Sequence, residues 1–302
     1  MPDPSQPLLA ELNDAAERIW EACSPQWPQL SLEVLPEVGS TNTELMERGR
    51  RGETWPTALV AVRQNAGRGR RGRDWLATPG ATLTFSIGLP VQLDDVPGGG
   101  SALSLAVGLS LAQALDAGLQ QRHAAGLGPS PPPIGLKWPN DLWLGTRKLG
   151  GVLIEATPAP GLPEGTRWVV VGVGLNVHPG DAPAGAAWLE GAPAGRTQAP
   201  LQTAEVWAWL VPALLADIRR FEATGFAPLQ RTWATRDVLL GKQVALWTRT
   251  GVTPDSGAPA DAVGQAQGVD EAGALLVHTD QGLQRWGTGD VSVRMPGPTD
   301  PP

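Results

Sequence analysis

The stretch Gln64-Asn65-Ala66-Gly67-Arg68-Gly69-Arg70-Arg71-Gly72-Arg73-Asp74-Trp75 decides between two kinds of fold. Its glycines have the spacing G-x-G-x-x-G, which in a dinucleotide-binding fold opens a helix whose first N–H groups hold a pyrophosphate. Here the chain continues Leu76-Ala77-Thr78-Pro79-Gly80, and Pro79 with Gly80 stops a helix before it is established. The dinucleotide fold fails on this context. What remains is a glycine-rich loop carrying Arg68, Arg70, Arg71 and Arg73. Alone, it reads either as a solvated basic loop or as a mobile site for a carboxylate or phosphate.

The rest of the chain runs against this local charge. Its 302 residues carry a formal net charge of −7, which argues against a broadly basic nucleic-acid-binding surface and makes any anion site local. A hydrophobic content of 41% is enough for one large domain and a small one. The single Cys23 excludes an intramolecular disulfide, and His123, His178 and His278 are too scattered for a zinc site, so a reducing cytoplasm is expected. The segment from Met1 to Glu11 has acidic residues and no basic region, and the apolar run Ala102–Leu115 is interrupted by Ser104, Ser110 and Gln113. Neither a signal peptide nor a membrane span is expected.

The basic residues are almost all arginine, with lysine only at positions 137, 148 and 242. A compact ammonium reaches a point charge in a tight site, and two of these lysines share one segment. It reads Ile134-Gly135-Leu136-Lys137-Trp138-Pro139-Asn140-Asp141-Leu142-Trp143-Leu144-Gly145-Thr146-Arg147-Lys148-Leu149-Gly150-Gly151-Val152-Leu153-Ile154-Glu155. The pattern predicts a strand into Lys137, a turn at Pro139-Asn140-Asp141, a second strand, a short loop and a third strand through Ile154. Taken alone, Pro-Asn-Asp is an ordinary hairpin turn.

Elsewhere the periodicity predicts a helix over 8–23, a strand over Leu32–Val38, and a helix opened by a capping box of Thr41 with Glu44. Strands are expected at Thr57–Arg63 and Thr82–Leu89, the latter placing Leu83, Phe85, Ile87 and Leu89 on one face. A long helix over about Ser101–Gln121 precedes Lys137, and Arg167–Val177 is a buried strand in which Gly172 and Gly174 imply close approach by another group. A helix over 203–224, kinked at Pro212, follows. Short strands at Gln243–Thr248, Gly264–Val269, Ala274–His278, Leu283–Trp286 and Val291–Arg294 predict a small β-barrel, and the stretches 124–135, 156–166, 179–200 and 251–262 read as loops.

Five segments taken in order then carry a resemblance: Gly39-Ser40-Thr41-Asn42, Gln64 to Trp75, Lys137-Trp138-Pro139-Asn140-Asp141, Lys148-Leu149-Gly150-Gly151 and Gly172-Val173-Gly174-Leu175-Asn176. Together they resemble the bacterial biotin protein ligases, over roughly Leu32 to Arg294. The resemblance implies an α/β (α+β) fold with a mixed, mainly antiparallel sheet, flanking helices, a class II synthetase-like catalytic domain and a C-terminal SH3-like barrel. It divides the chain into an N-terminal helical extension (1–30), a catalytic domain (31–237), the barrel (238–296) and a tail (297–302).

The implied reaction has two steps: the biotin carboxylate attacks the α-phosphate of ATP, and a lysine of a carboxylase's biotin carrier domain attacks the resulting biotinoyl-adenylate. Magnesium accompanies the nucleotide. Charge growing on the phosphoryl oxygens calls for fixed cations, for which Lys137, Arg70 and Arg68 are the expected catalytic residues. The ureido ring calls for uncharged donors and acceptors beside apolar surface. Ser40, Thr41, Asn42 and Gln64 supply them, and Arg68, Gly69, Arg70 and Lys137 complete the expected biotin site. Arg73, Asn140, Lys148, Asn176, Trp188 and Arg294 are expected near ATP.

Two departures from the family pattern stand out. Members that repress transcription carry an N-terminal winged helix, whereas here about thirty residues precede the catalytic domain, so no operator DNA is expected. Ala124 to Leu136 contains no Asp or Glu to deprotonate the acceptor lysine, which leaves Asp141 or the adenylate phosphate. Homodimer formation is left open. A lipoate ligase is disfavoured, because a dithiolane needs no ureido partners. A nucleic-acid module using the arginine loop would instead predict steeply salt-dependent oligonucleotide binding.

Overall fold

The computed structural model describes residues 6–180, 185–190, 200–248, 258–287 and 291–295. The sequence pattern Ser31–Val38, Thr41–Arg50, Thr57–Gln64 becomes β1, α2 and β2, with β1 and β2 parallel because the helix between them returns the chain to the same end of the sheet. Every other pairing is antiparallel. The sheet runs β1-β2-β3-β7-β6-β5-β4, with β3 at Thr82–Gln92, β4 at Ile134–Lys137, β5 at Asp141–Leu144, β6 at Arg147–Thr157 and β7 at Thr166–Asn176.

Period-two alternation assigns the two faces. Leu83, Phe85, Ile87 and Leu89 of β3 join Val169, Val171, Val173 and Leu175 of β7 in the main core. Against that face pack α1 (Gln6–Cys23), α3 (Gly99–Ala124) and α4 (Thr203–Thr224). Leu12, Ala15, Ile19 and Cys23 put α1 into the same core as the sheet. The helix α3 is long and apolar enough to cross a membrane, but it is mostly buried against α4 and the sheet, which accounts for its composition.

The other face carries α2 over a smaller cluster of Leu45, Met46, Leu59, Trp168 and Val170. Beyond that cluster the same face runs out into Thr84 and Ser86 on β3 and Gly172 and Gly174 on β7. The small residues leave a hollow, and the site lies there.

One local expectation is corrected. The cap of α2 is Ser40, whose Oγ accepts from the Thr43 N–H at 3.4 Å, while Glu44 turns outward to Arg48. The Thr41 hydroxyl is drawn inward by partners across the sheet. Pro212 lies inside a continuous α4.

After α5 (Gln230–Ala234), a second sheet has the order β11-β10-β9-β8-β12, all antiparallel. Its strands are β8 (Gln243–Trp247), β9 (Ala262–Val269), β10 (Leu275–Thr279), β11 (Gly282–Trp286) and β12 (Ser292–Arg294), consistent with a small SH3-like domain. Most of the expected loop 251–262 lies outside the described residues. The Trp138 indole ties the two sheets, donating to the Gly273 carbonyl at 3.0 Å.

Candidate active site

The glycine–arginine stretch forms a closed loop, with no helix after it. Gly69 N–H donates to the Arg73 carbonyl at 2.7 Å and Trp75 N–H to the Gly67 carbonyl at 2.9 Å, around a single turn at Arg70–Gly72. This is the physical reason that the G-x-G-x-x-G spacing carries no dinucleotide meaning here. Arg71 takes φ 59° within the turn and donates to the Ser292 hydroxyl of β12, joining the loop to the second sheet.

The loop overhangs a cleft of about 210 Å³. Ser40, Thr41, Asn42, Gln64, Arg68, Gly69, Arg70, Arg73, Lys137, Asn140 and Lys148 all line it, so segments spread over more than a hundred residues meet at one cleft. Trp188, Asn176 and Arg294 do not line it. Asn176 is buried and donates to the Ala187 carbonyl at 3.1 Å, and Trp188 faces the Arg147 guanidinium at 5.5 Å. Arg294 is exposed, although its charge still reaches Lys137.

One end of the cleft is neutral and hydrogen-bonded. Gln64 Oε1 accepts from the Thr41 N–H at 2.7 Å and from its hydroxyl at 3.1 Å. The Thr41 and Ser86 hydroxyls lie 2.7 Å apart, and Ser86 donates to Asn42 Oδ1 at 2.7 Å. Ser86 was not anticipated, although its place opposite Phe85 and Ile87 in an alternating strand was the available signal. The close approach inferred at Gly172 and Gly174 comes from protein side chains. A Cβ at Gly172 would stand 2.1 Å from Asn42 Oδ1, and one at Gly174 would stand 2.2 Å from the Trp75 ring. These glycines let Asn42 and Trp75 lie flat against β7.

The other end is cationic. Six basic side chains (Arg68, Arg70, Arg71, Arg73, Lys137, Lys148) line the cleft against two acids, Asp74 and Asp141. Lys137 and Asp141 face each other across the β4–β5 pair. Burial holds the Lys137 ammonium below its ordinary pKa; Asp141 opposes this, while Lys148, Arg294 and Arg73 add to it. An incoming anion would relieve that frustration. Lys148 Nζ donates to Asp141 Oδ1 at 2.6 Å, so the proposed base already has a partner. Asn140 is a strut: Nδ2 donates to the Val152 carbonyl at 2.7 Å and Oδ1 accepts from Arg70 at 3.3 Å.

Comparisons with known proteins place the fold in a family. Residues 34–176 match the Biotin/lipoate A/B protein ligase family, and residues 259–294 match the Biotin protein ligase C terminal domain. Fold and cleft thus define a ligase of the biotin/lipoate type with an appended C-terminal domain. The chain is 32% identical to the Bifunctional ligase/repressor BirA of Escherichia coli over 267 residues, 87% of this chain and 74% of that one. It is 32% identical to the Biotin--[acetyl-CoA-carboxylase] ligase of Paracoccus denitrificans, over 83% of this chain and 95% of that one. A solved biotin protein ligase from Aquifex aeolicus, in complex with biotin and ATP, superposes with a TM-score of 0.65 at 27% identity, covering 88% of this chain and 99% of that one. This chain belongs to the biotin protein ligase family.

Proposed function

We propose an assignment of roles for the reaction this ligase carries out, the activation of biotin with ATP and its transfer to protein. The observation that supports it most directly is the polarity of the cleft, with a neutral hydrogen-bonding end and a cationic end in one continuous hollow. A ureido ring suits the first, through Ser40, Thr41, Asn42 and the amide nitrogen of Gln64, whose oxygen is already engaged. A carboxylate meeting a phosphate suits the second.

Lys137 and Arg70 are the catalytic cations, stabilising charge on the α-phosphoryl oxygens as the biotin carboxylate attacks and pyrophosphate leaves. Arg68, the third expected catalytic cation, is already ion-paired with Glu155, and with Gly69 it holds the loop over biotin. Arg73, Lys148 and Asn140 attend the nucleotide, while Asn176, Trp188 and Arg294 do not line the cleft. Magnesium would enter with ATP as part of the substrate. Among the described residues no three His, Cys, Asp or Glu side chains cluster. In the second step the acceptor amine attacks the carbonyl carbon of the mixed anhydride and AMP departs. Because Asp141 is engaged by Lys148, the departing phosphate takes the amine proton.

The acceptor is a lysine of a biotin carrier domain in a carboxylase, and the setting is the cytoplasm. Purified protein with magnesium, ATP and biotin is expected to release pyrophosphate and to label such a domain, and lipoate should not compete. Pyrophosphate release that ignores biotin, or that lipoate supports equally well, overturns the assignment.

A further inference from the structure

Glu155 is an acid within reach of a site built for anions, and the roles assigned above give it nothing to do. It stands on β6 after the apolar run Val152-Leu153-Ile154, and two other elements reach its carboxylate. Arg68 of the loop approaches in a forked geometry, Nη2 to Oε1 at 3.1 Å and Nη1 to Oε2 at 3.2 Å. Asn42, in the first turn of α2, donates Nδ2 to the same Oε2 at 3.0 Å.

The second contact fixes a polarity. With its amide nitrogen turned to that carboxylate and, at 3.4 Å, to the Leu153 carbonyl, Asn42 presents Oδ1 to Ser86, since the reversed amide would set oxygen against oxygen. Ser86 is then committed as a donor to Asn42. Its lone pairs are left to Thr41, whose single proton goes either there or to Gln64. This half-buried, charge-assisted contact, together with the Leu153 carbonyl, therefore sets the polarity of Asn42 and Ser86. The first contact carries the arrangement outward. Arg68 is 48% exposed, so its ion pair adds little stability and acts chiefly by geometry.

We propose that Glu155 is a positioning residue that holds the neutral network in one polarity and ties it through Arg68 to the glycine–arginine loop. The ligand half rests on the biotin reading above: filling the neutral end then bears directly on closure of the loop.

The test uses Glu155→Ala, Glu155→Gln, Arg68→Ala and the double alanine variant in the full chain. Hydrogen exchange at the Gly69 and Trp75 amides, which close the loop, is measured without ligand, and biotin dissociation is measured separately. In the ligand-free protein each single alanine variant should speed loop exchange by about threefold to fivefold, and the double variant by no more than either. Biotin should leave Glu155→Ala about tenfold faster than wild type, with Glu155→Gln between the two, because Gln can still accept from Asn42. Additive effects of the two alanines, or unchanged loop exchange in Glu155→Ala, overturn the proposal. Wild-type protein that fails to bind biotin overturns the functional reading instead, and the ligand-free comparison still decides whether the loop is tied to Glu155.

Discussion

At the neutral end of the cleft Thr41, Asn42 and Ser86 are buried and already hydrogen-bonded to one another, while at the cationic end Lys137 and Lys148 flank Asp141, and Arg70 and Arg73 line the same cleft. The first arrangement is neutral and hydrogen-bonded across the sheet; the second holds more positive charge than negative. A satisfied network is rigid and selects by shape and polarity, because a ligand lacking the matching groups leaves buried partners unpaired. An unbalanced cluster of cations instead gains most when an anion, and above all a transition state with more charge, arrives among them. On the proposed function, the difference puts recognition at one end and chemistry at the other.

The sharpest way to break that division is Lys137→Ala. If the cationic end carries the chemistry, adenylate formation should fall by roughly a hundredfold to a thousandfold, as for loss of one fixed transition-state donor, with biotin affinity changing far less. Single-turnover pyrophosphate release against a calorimetric titration reads the two quantities separately. A loss confined to affinity would merge the two ends into one binding surface.

Gly172→Ala attacks the other end. Its new Cβ would displace Asn42, whose Oδ1 lies 2.1 Å from that position, and break the bond from Ser86. Overpacking plus a lost buried hydrogen bond should cost about 1–3 kcal/mol of stability and raise the KM for biotin, while kcat at saturating biotin is largely kept. Denaturant unfolding and steady-state kinetics check this; a fall in kcat with KM unchanged would contradict the division.

Both outcomes bear on what could be read from the residues alone. Lys137, Lys148 and the arginine loop stood out because each is an oddity in its own setting, a rare lysine or a cation run in an acidic chain, whereas the Ser-Thr-Asn turn was picked out only through the family resemblance. The alternation of β3 was legible for the same reason that it folds, since period two decides a face. What stayed hidden was pairing between distant segments. Nothing local to Glu155 announces Asn42 and Arg68, although an acid ending an apolar strand was a usable hint. Gly172 and Gly174 advertised a close approach without saying what approached. The capping box was misplaced because Thr41 has partners in β2 and β3 that no local rule can count.

The smallest effect concerns a second buried charge on the same strand path. Leu136, beside Lys137, is bridged to Asp237, with Val238 N–H donating to the Leu136 carbonyl at 3.0 Å. Burial pushes the Asp237 carboxyl from 3.8 up to about 6, against backbone N–H bonds from Leu239 and Leu240, and its Oδ2 has no hydrogen-bond partner. For a carboxyl whose folded pKa is raised, the stabilising contribution is complete below the unfolded value near 3.8 and is lost as pH rises through about 6. Above that pH the charged Asp237 is a standing cost with no ligand to relieve it, unlike Lys137. Asp237→Asn keeps an oxygen for the backbone N–H groups and cannot ionise. It should therefore match wild type near pH 4 and gain on it by up to roughly 2 kcal/mol as pH rises past 6. Melting temperatures of the two proteins across that range should diverge in this direction; parallel curves would show that burial alone does not hold this carboxyl neutral, and would weaken the same argument for Lys137.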